Sequence, residues 1–272
     1  MKPFNAPISK EYGAWASLAT AFLAGGGVAG RINLEALILF LGALSFFLAR
    51  TPLLGILRSI TTGKTKSGNF INQTIWFTLY SLLGIALFSL LLFKYKLTFL
   101  IIFIILSAII FSYNIYNTFN KGTRARESSL SGVLGVSLLS SFTYYVATGS
   151  FDKTVAALWV LVFLYLAGSI FYVETRLGVF KWQACLVFHI ITTIVVSALA
   201  ITKLIPMLSL VAYYPSFIKS SIGALSPKKE AIPKIRQKDW RTRQLLWREL
   251  GRIELLHSVI FVVLISVVYR IM

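Results

Sequence analysis

The chain has 272 residues, 57% of them hydrophobic, with a mean hydropathy of +0.78 and a formal net charge of +18. That apolar fraction excludes an ordinary soluble domain. So basic a balance would point to nucleic acid in a soluble protein, but most of these cations fall in short connections between apolar runs, where they set membrane orientation instead.

Several runs reach the roughly 20 apolar residues needed to cross a bilayer core. The expectation is therefore an all-α polytopic transmembrane bundle, one domain over 1–272, with nine spans near 13–29, 34–49, 72–93, 97–117, 129–149, 154–173, 181–201, 204–222 and 253–271. No cleavable signal peptide is expected, because the first run lacks a small-residue cleavage site after it. The single cysteine, Cys185, excludes an intrachain disulfide.

Lys10-Glu11-Tyr12-Gly13-Ala14-Trp15 stands at the mouth of the first span. Tyr and Trp suit the membrane boundary, whereas a carboxylate there must be hydrated, neutralised or paired. Glu11 therefore either caps the first helix, where its charge suits the dipole, or turns inward to polar groups of later helices. Farther along, Gly25-Gly26-Gly27 lets another backbone come close. Spans 1 and 2 form a tight hairpin through 30–33. Pro206 and Pro215 predict a kink in span 8.

Lys and Arg fix the expected orientation. The N-terminus and loops 2–3, 4–5, 6–7 and 8–9 hold 21 of the 27, and the other loops and the C-terminus hold 6. The positive-inside rule then places the N-terminus in the cytoplasm and the C-terminus outside, in the cytoplasmic membrane. The one long connection, about 219–252, is basic and becomes amphipathic from Asp239 to Arg252. It is read either as an interfacial segment favouring anionic headgroups or as a charged loop that only obeys the topology rule.

Polar residues gather at the cytoplasmic span ends. Arg50 closes span 2, with Arg58 beyond it. Tyr113, Asn114 and Asn117 end span 4, and Arg124, Arg126 and Glu127 open span 5. Glu174 and Arg176 close span 6, and Glu249, Glu254 and His257 open span 9. One reading is a cytoplasm-facing pocket for an anionic headgroup, its apolar remainder between helices. Arg50, Arg58, Asn114, Arg124, Arg126 and Arg176 would bind the headgroup. Glu11, Glu127, Glu174 or Glu254 would supply acid–base or orienting contacts. The other reading is a ring of interfacial salt bridges that only fixes the bundle. No metal or cofactor is expected. Thr62-Gly63-Lys64-Thr65 lacks the first glycine and the strand of a phosphate loop. Cys185 with His189 offers two metal ligands without a third, and His189 with His257 is a weak haem pair.

The Lys10–Trp15 stretch resembles the opening of the YwiC-like membrane proteins, with Tyr12 where they usually carry His. Arg50-Thr51-Pro52-Leu53, the Arg124–Gly135 stretch and Arg248-Glu249-Leu250-Gly251 are similar to that family too. A more distant likeness, in nine spans and in Ser112-Tyr113-Asn114 … Arg124 … Gly132 … Gly135, is to the UbiA superfamily of intramembrane prenyltransferases. It implies a UbiA-like architecture. Those enzymes hold Mg²⁺ on Asp-rich motifs, whereas this chain has no Asp or Glu between Glu35 and Glu127, so the usual Mg²⁺ route is not expected. Three functional classes remain open: an enzyme or binding protein for a lipid or isoprenoid with an anionic headgroup, a small-molecule transporter, and a non-catalytic membrane assembly protein.

Overall fold

The computed structural model describes residues 6–7, 12–65, 67–122, 125–177, 179, 181–225 and 240–271. Among them there are nine α-helices and no strand. The helices are α1 (Tyr12–Ala29), α2 (Leu34–Thr61), α3 (Gly68–Phe93), α4 (Leu100–Lys121), α5 (Arg126–Thr148), α6 (Lys153–Arg176), α7 (Trp182–Ile201), α8 (Tyr214–Leu225) and α9 (Trp240–Ile271). A 3₁₀ segment, Met207–Tyr213, leads into α8.

Seven of these helices are long and apolar enough to cross a membrane. Their outward faces carry large apolar side chains, such as Leu79 and Leu83 on α3, Ile105 and Ile109 on α4, and Ile190 and Ile194 on α7. In water such a belt would drive association; in lipid it is the solvated surface. The chain is a polytopic integral membrane protein.

Two helices form the hub, α5 and α6, each more than half buried, while α3 lies at the rim with little of its surface covered. The reason α5 sits centrally is its small residues. Ser137, Ser140, Ser141 and Thr143 are wholly buried, and their hydroxyls bond to carbonyls of α5 itself or, for Ser141, to Val155 of α6 at 2.6 Å. Small hydroxyl residues let helices approach closely and leave no polar atom without a partner. The approach is closest at Gly25 and Gly27 of α1. A Cβ on Gly25 would collide with the Ser140 carbonyl, and one on Gly27 with the Ser266 hydroxyl of α9. Two adjacent contacts thus lock α1 between α5 and α9, as the Gly-Gly-Gly run foretold.

The two ends of the bundle are built differently. At one end the C-termini of α1, α5, α7 and α9 meet the N-termini of α2 and α6. Arg31 Nε donates to the Ala147 carbonyl at 2.8 Å, and Lys153 Nζ to the Lys203 carbonyl at 2.7 Å. Asn33 caps α2 by accepting from the Ala36 amide. The opposite end, where α2, α4, α6 and α8 finish, carries the polar clusters described below.

Three boundaries differ from the sequence expectation. Span 2 does not close at Arg50: α2 runs through Pro52 to Thr61, about 42 Å by helical rise. Pro52 removes one backbone donor, a cost of about 3 kcal/mol in an ordinary helix interior. Burial of Pro52 and Leu54 holds the helix together beyond it. Span 8 is half 3₁₀ and half α, with Pro206 capping the first half and Pro215 in the first turn of the second. Proline tolerates both places because each lies where helical donors have no partner. Finally, the stretch from Trp240 and the last span are one continuous helix rather than two segments.

Candidate functional site

The polar residues at the α4–α5 end fall into two sets among the described residues. The first joins α2, α4 and α5. Arg50 Nε donates to Asn114 Oδ1 at 3.0 Å and a terminal nitrogen donates to Thr118 Oγ1 at 3.2 Å. Asn114 Nδ2 in turn donates to the Ser128 carbonyl at 2.7 Å and to Ser131 Oγ at 2.9 Å. Ser128 Oγ donates to the Gly122 carbonyl, which ties the α4–α5 turn to the same set. Asn114 and Thr118 are buried. Both ends of the Asn114 amide are engaged, so its role is to hold Arg50 in place. Asn117 is buried as well and donates to the Tyr113 carbonyl within its own helix.

Asn114→Ala removes three interhelical hydrogen bonds, one of them to a charged group. At about 1 kcal/mol each, more for the charged one, it should cost roughly 3–4 kcal/mol of unfolding stability in detergent. Asn117→Ala, which removes one bond within a helix, should cost roughly 1 kcal/mol. Equal losses in a denaturation titration would contradict this assignment.

The second set joins α6, α8 and α9. Lys219 Nζ stands 2.6 Å from Glu254 Oε1, and Ser169 Oγ donates to Glu254 Oε2 at 2.5 Å. The ammonium lies 4.4 Å from the Tyr172 ring centroid, within cation–π range. Only 8% of the Lys219 side chain and 12% of the Glu254 side chain are exposed. Beside them the His189 Nε2 and the Ser220 hydroxyl share a hydrogen bond of 2.7 Å, and Cys185 is buried one turn earlier on α7. Tyr165 donates to Ser258 at 3.3 Å and stacks on Phe261.

The remaining candidates lie around these sets. Glu127 pairs with Lys121 at 2.9 Å on the exposed turn. Glu174 is half-buried near the end of α6. Arg176 packs beside Gly223 of α8. Arg58 is exposed near the end of α2. Glu11, Arg124 and Asp239 lie outside the described residues, and so does the basic stretch 226–239. Glu254 meets a cation, Lys219 of α8. Lys219, Ser169 and Tyr172 were missed as site residues, since Lys219 reads as the start of a loop. The signal was its place one turn after Pro215 in an otherwise apolar helix.

A groove of about 320 Å³ opens between α2 and α4, lined by Leu53, Leu57, Phe111, Ile115, Tyr116 and Phe119. Arg50 precedes Leu53 by one turn and Arg58 follows Leu57, so the groove lies along α2 between two arginines. No three His, Cys, Asp or Glu side chains cluster as a metal site among the described residues.

Fold and site together define a multi-pass helical membrane protein with an apolar groove along α2, between Arg50, held by Asn114 and Thr118, and the exposed Arg58. Residues 8–145 match the YwiC-like protein family, half of the chain, and the chain belongs to that family. Comparison with curated proteins and with solved structures gives no match.

Proposed function

We propose that this protein binds a lipid or isoprenoid with an anionic headgroup at the cytoplasmic end of the bundle, its tail lying between α2 and α4. The observation that carries the reading is the placement of the apolar groove between Arg50 and Arg58 on one helix. An arginine already held in place, as Arg50 is by Asn114 and Thr118, loses little entropy when it engages phosphate, and its planar fork suits that geometry. A UbiA-like architecture, which the distant sequence likeness implies, belongs to the same reading. Binding is supported better than catalysis: Glu127 and Glu254 are each engaged by a lysine.

Arg58→Gln is the clean variant, since Arg58 is exposed and outside the Asn114 set. Native mass spectrometry of the purified protein should show it losing several-fold affinity for phosphatidylglycerol and none for phosphatidylcholine. Parallel losses for the two lipids would remove the headgroup from the proposal. A transporter is the second reading, favoured by the buried Lys219–Glu254 pair, because ionisable groups inside spans commonly mark ion or substrate paths.

The cytoplasmic assignment rests on charge asymmetry. Reporter fusions after Lys121 and Lys228 should read cytoplasmic, and fusions after Lys94 and Met272 external. An external signal at Lys121 would invert the arrangement.

A further inference from the structure

The α2–α4 groove has a larger counterpart on another flank of the bundle. Helices α1 and α9 run in the same direction, touching tightly at Gly27 and Ser266 and parting on their outer side. The resulting groove holds about 560 Å³, with Ala19, Leu23 and Gly26 on one wall and Val259 and Val263 on the other. Its lining extends from Ala16 on α1 to Ile32 in the connection to α2, and from Leu255 to Arg270 on α9. By helical rise that is about 22 Å, most of one leaflet and part of the next in a hydrocarbon core of roughly 30 Å.

The groove's charged groups are confined to one end. Along the floor the Thr20 hydroxyl donates to the Ala16 carbonyl at 2.7 Å and Ser258 accepts from Tyr165, so neither asks for water. At the end lie two guanidinium groups, Arg31 and Arg270. Arg31 spends Nε on the Ala147 carbonyl. Among the described residues neither arginine forms an ion pair. The acids at that end are Glu35, in the first turn of α2, and Asp152, which bonds to the Thr154 amide and accepts from Tyr144. A mostly apolar groove with two cations at one end is complementary to an amphiphile with an anionic headgroup and an apolar chain.

We infer that this groove is a binding site for an anionic membrane phospholipid, its phosphate on Arg31 and Arg270 and one acyl chain between α1 and α9. The site is separate from the α2–α4 groove: it opens on different helices and takes its lipid from the opposite leaflet. Bidentate donation to phosphate oxygens is the contact that guanidinium groups make best. The apolar walls gain from an acyl chain mainly by packing, because bulk lipid is just as apolar. Selectivity therefore comes from the two arginines, and position from the groove.

The test uses the full chain with a photoreactive benzoylphenylalanine at Val263, reconstituted in vesicles of equal phosphatidylglycerol and phosphatidylcholine with matched chains. The control carries the same group at Ile190, on the lipid-facing side of α7. After irradiation, mass spectrometry of the adducts should show phosphatidylglycerol enriched several-fold at 263 over 190. Arg31→Gln with Arg270→Gln should abolish the enrichment, and Ala19→Phe should lower adduct yield for both lipids by filling the channel. An equal lipid ratio at 263 and 190 would overturn the inference, as would enrichment that survives loss of both arginines. Both arginines are surface residues at a helix end, and size-exclusion profiles of the variants establish that they fold. The result is independent of Arg50 and Arg58, so either site can fail alone.

Discussion

Lys219→Met is expected to be the most damaging single change to a charged residue in this protein. It keeps the length and apolar stem of the side chain but leaves Glu254 with only Ser169, in a site where both pair members are nearly inaccessible. Breaking a buried ion pair from one side costs about 3–5 kcal/mol, because the surviving charge stays buried without compensation. The cation–π contact with Tyr172 is lost as well, a further contribution of roughly 1–2 kcal/mol for a desolvated ammonium. Together these should lower the melting temperature in detergent clearly. Lys219→Met with Glu254→Gln should recover most of the loss, since no charge is then stranded. Lys121→Met, which breaks the exposed pair with Glu127, should leave the melting temperature unchanged. Strictly additive losses for Lys219 and Glu254 would show that the two residues act separately.

A comparable loss is expected where α1 enters the bundle. Gly25 faces the Ser140 carbonyl so closely that any Cβ must push a backbone, not a flexible side-chain tip. Overpacking a tight core typically costs about 1–3 kcal/mol and occasionally more. Gly25→Ala should lie within that range, and Gly25→Val above it, since the Thr143 Cβ stands 2.8 Å from the added atom. Gly13→Ala in the first turn of the same helix meets nothing within 4 Å and should be neutral or slightly stabilising. The pair of measurements separates close packing from helix propensity, because propensity alone would make both changes favourable.

Much of this architecture was legible in the sequence for one reason. Crossing a bilayer demands about 20 apolar residues whatever the packing, so hydropathy locates spans without knowledge of neighbours. What it does not locate is the helix end. The apolar stretch of α2 weakens at Arg50, but hydrogen bonding continues to Thr61 because the polar turn beyond is still helical. The same confusion of span with helix split α9 into a loop and a span.

That polar residues stand near the ends of apolar runs was also legible, as with Arg50, Asn114 and Glu254. Partner choice was not. Nothing in the sequence says that Asn114 spends its amide on Ser128 and Ser131 while holding Arg50, or that Glu254 finds Lys219. Those pairings depend on which helix faces sit side by side, and that is set by small residues such as Gly25 and Ser140 rather than by charge. The serine run of α5 carried the signal of a central helix, since small residues repeat through it at helical spacing.

The central claim, an anionic lipid or isoprenoid in the α2–α4 groove, is tested most directly by what the protein retains. Wild type and Leu57→Trp, whose larger ring would fill the groove, are extracted in mild detergent and gel-filtered. The small molecules that stay bound are then identified by mass spectrometry. The account predicts a molecule with an anionic headgroup and an apolar tail in the wild type, depleted several-fold in Leu57→Trp. The same bound molecules at the same levels in both proteins, or a water-soluble metabolite in place of a lipid, would contradict it.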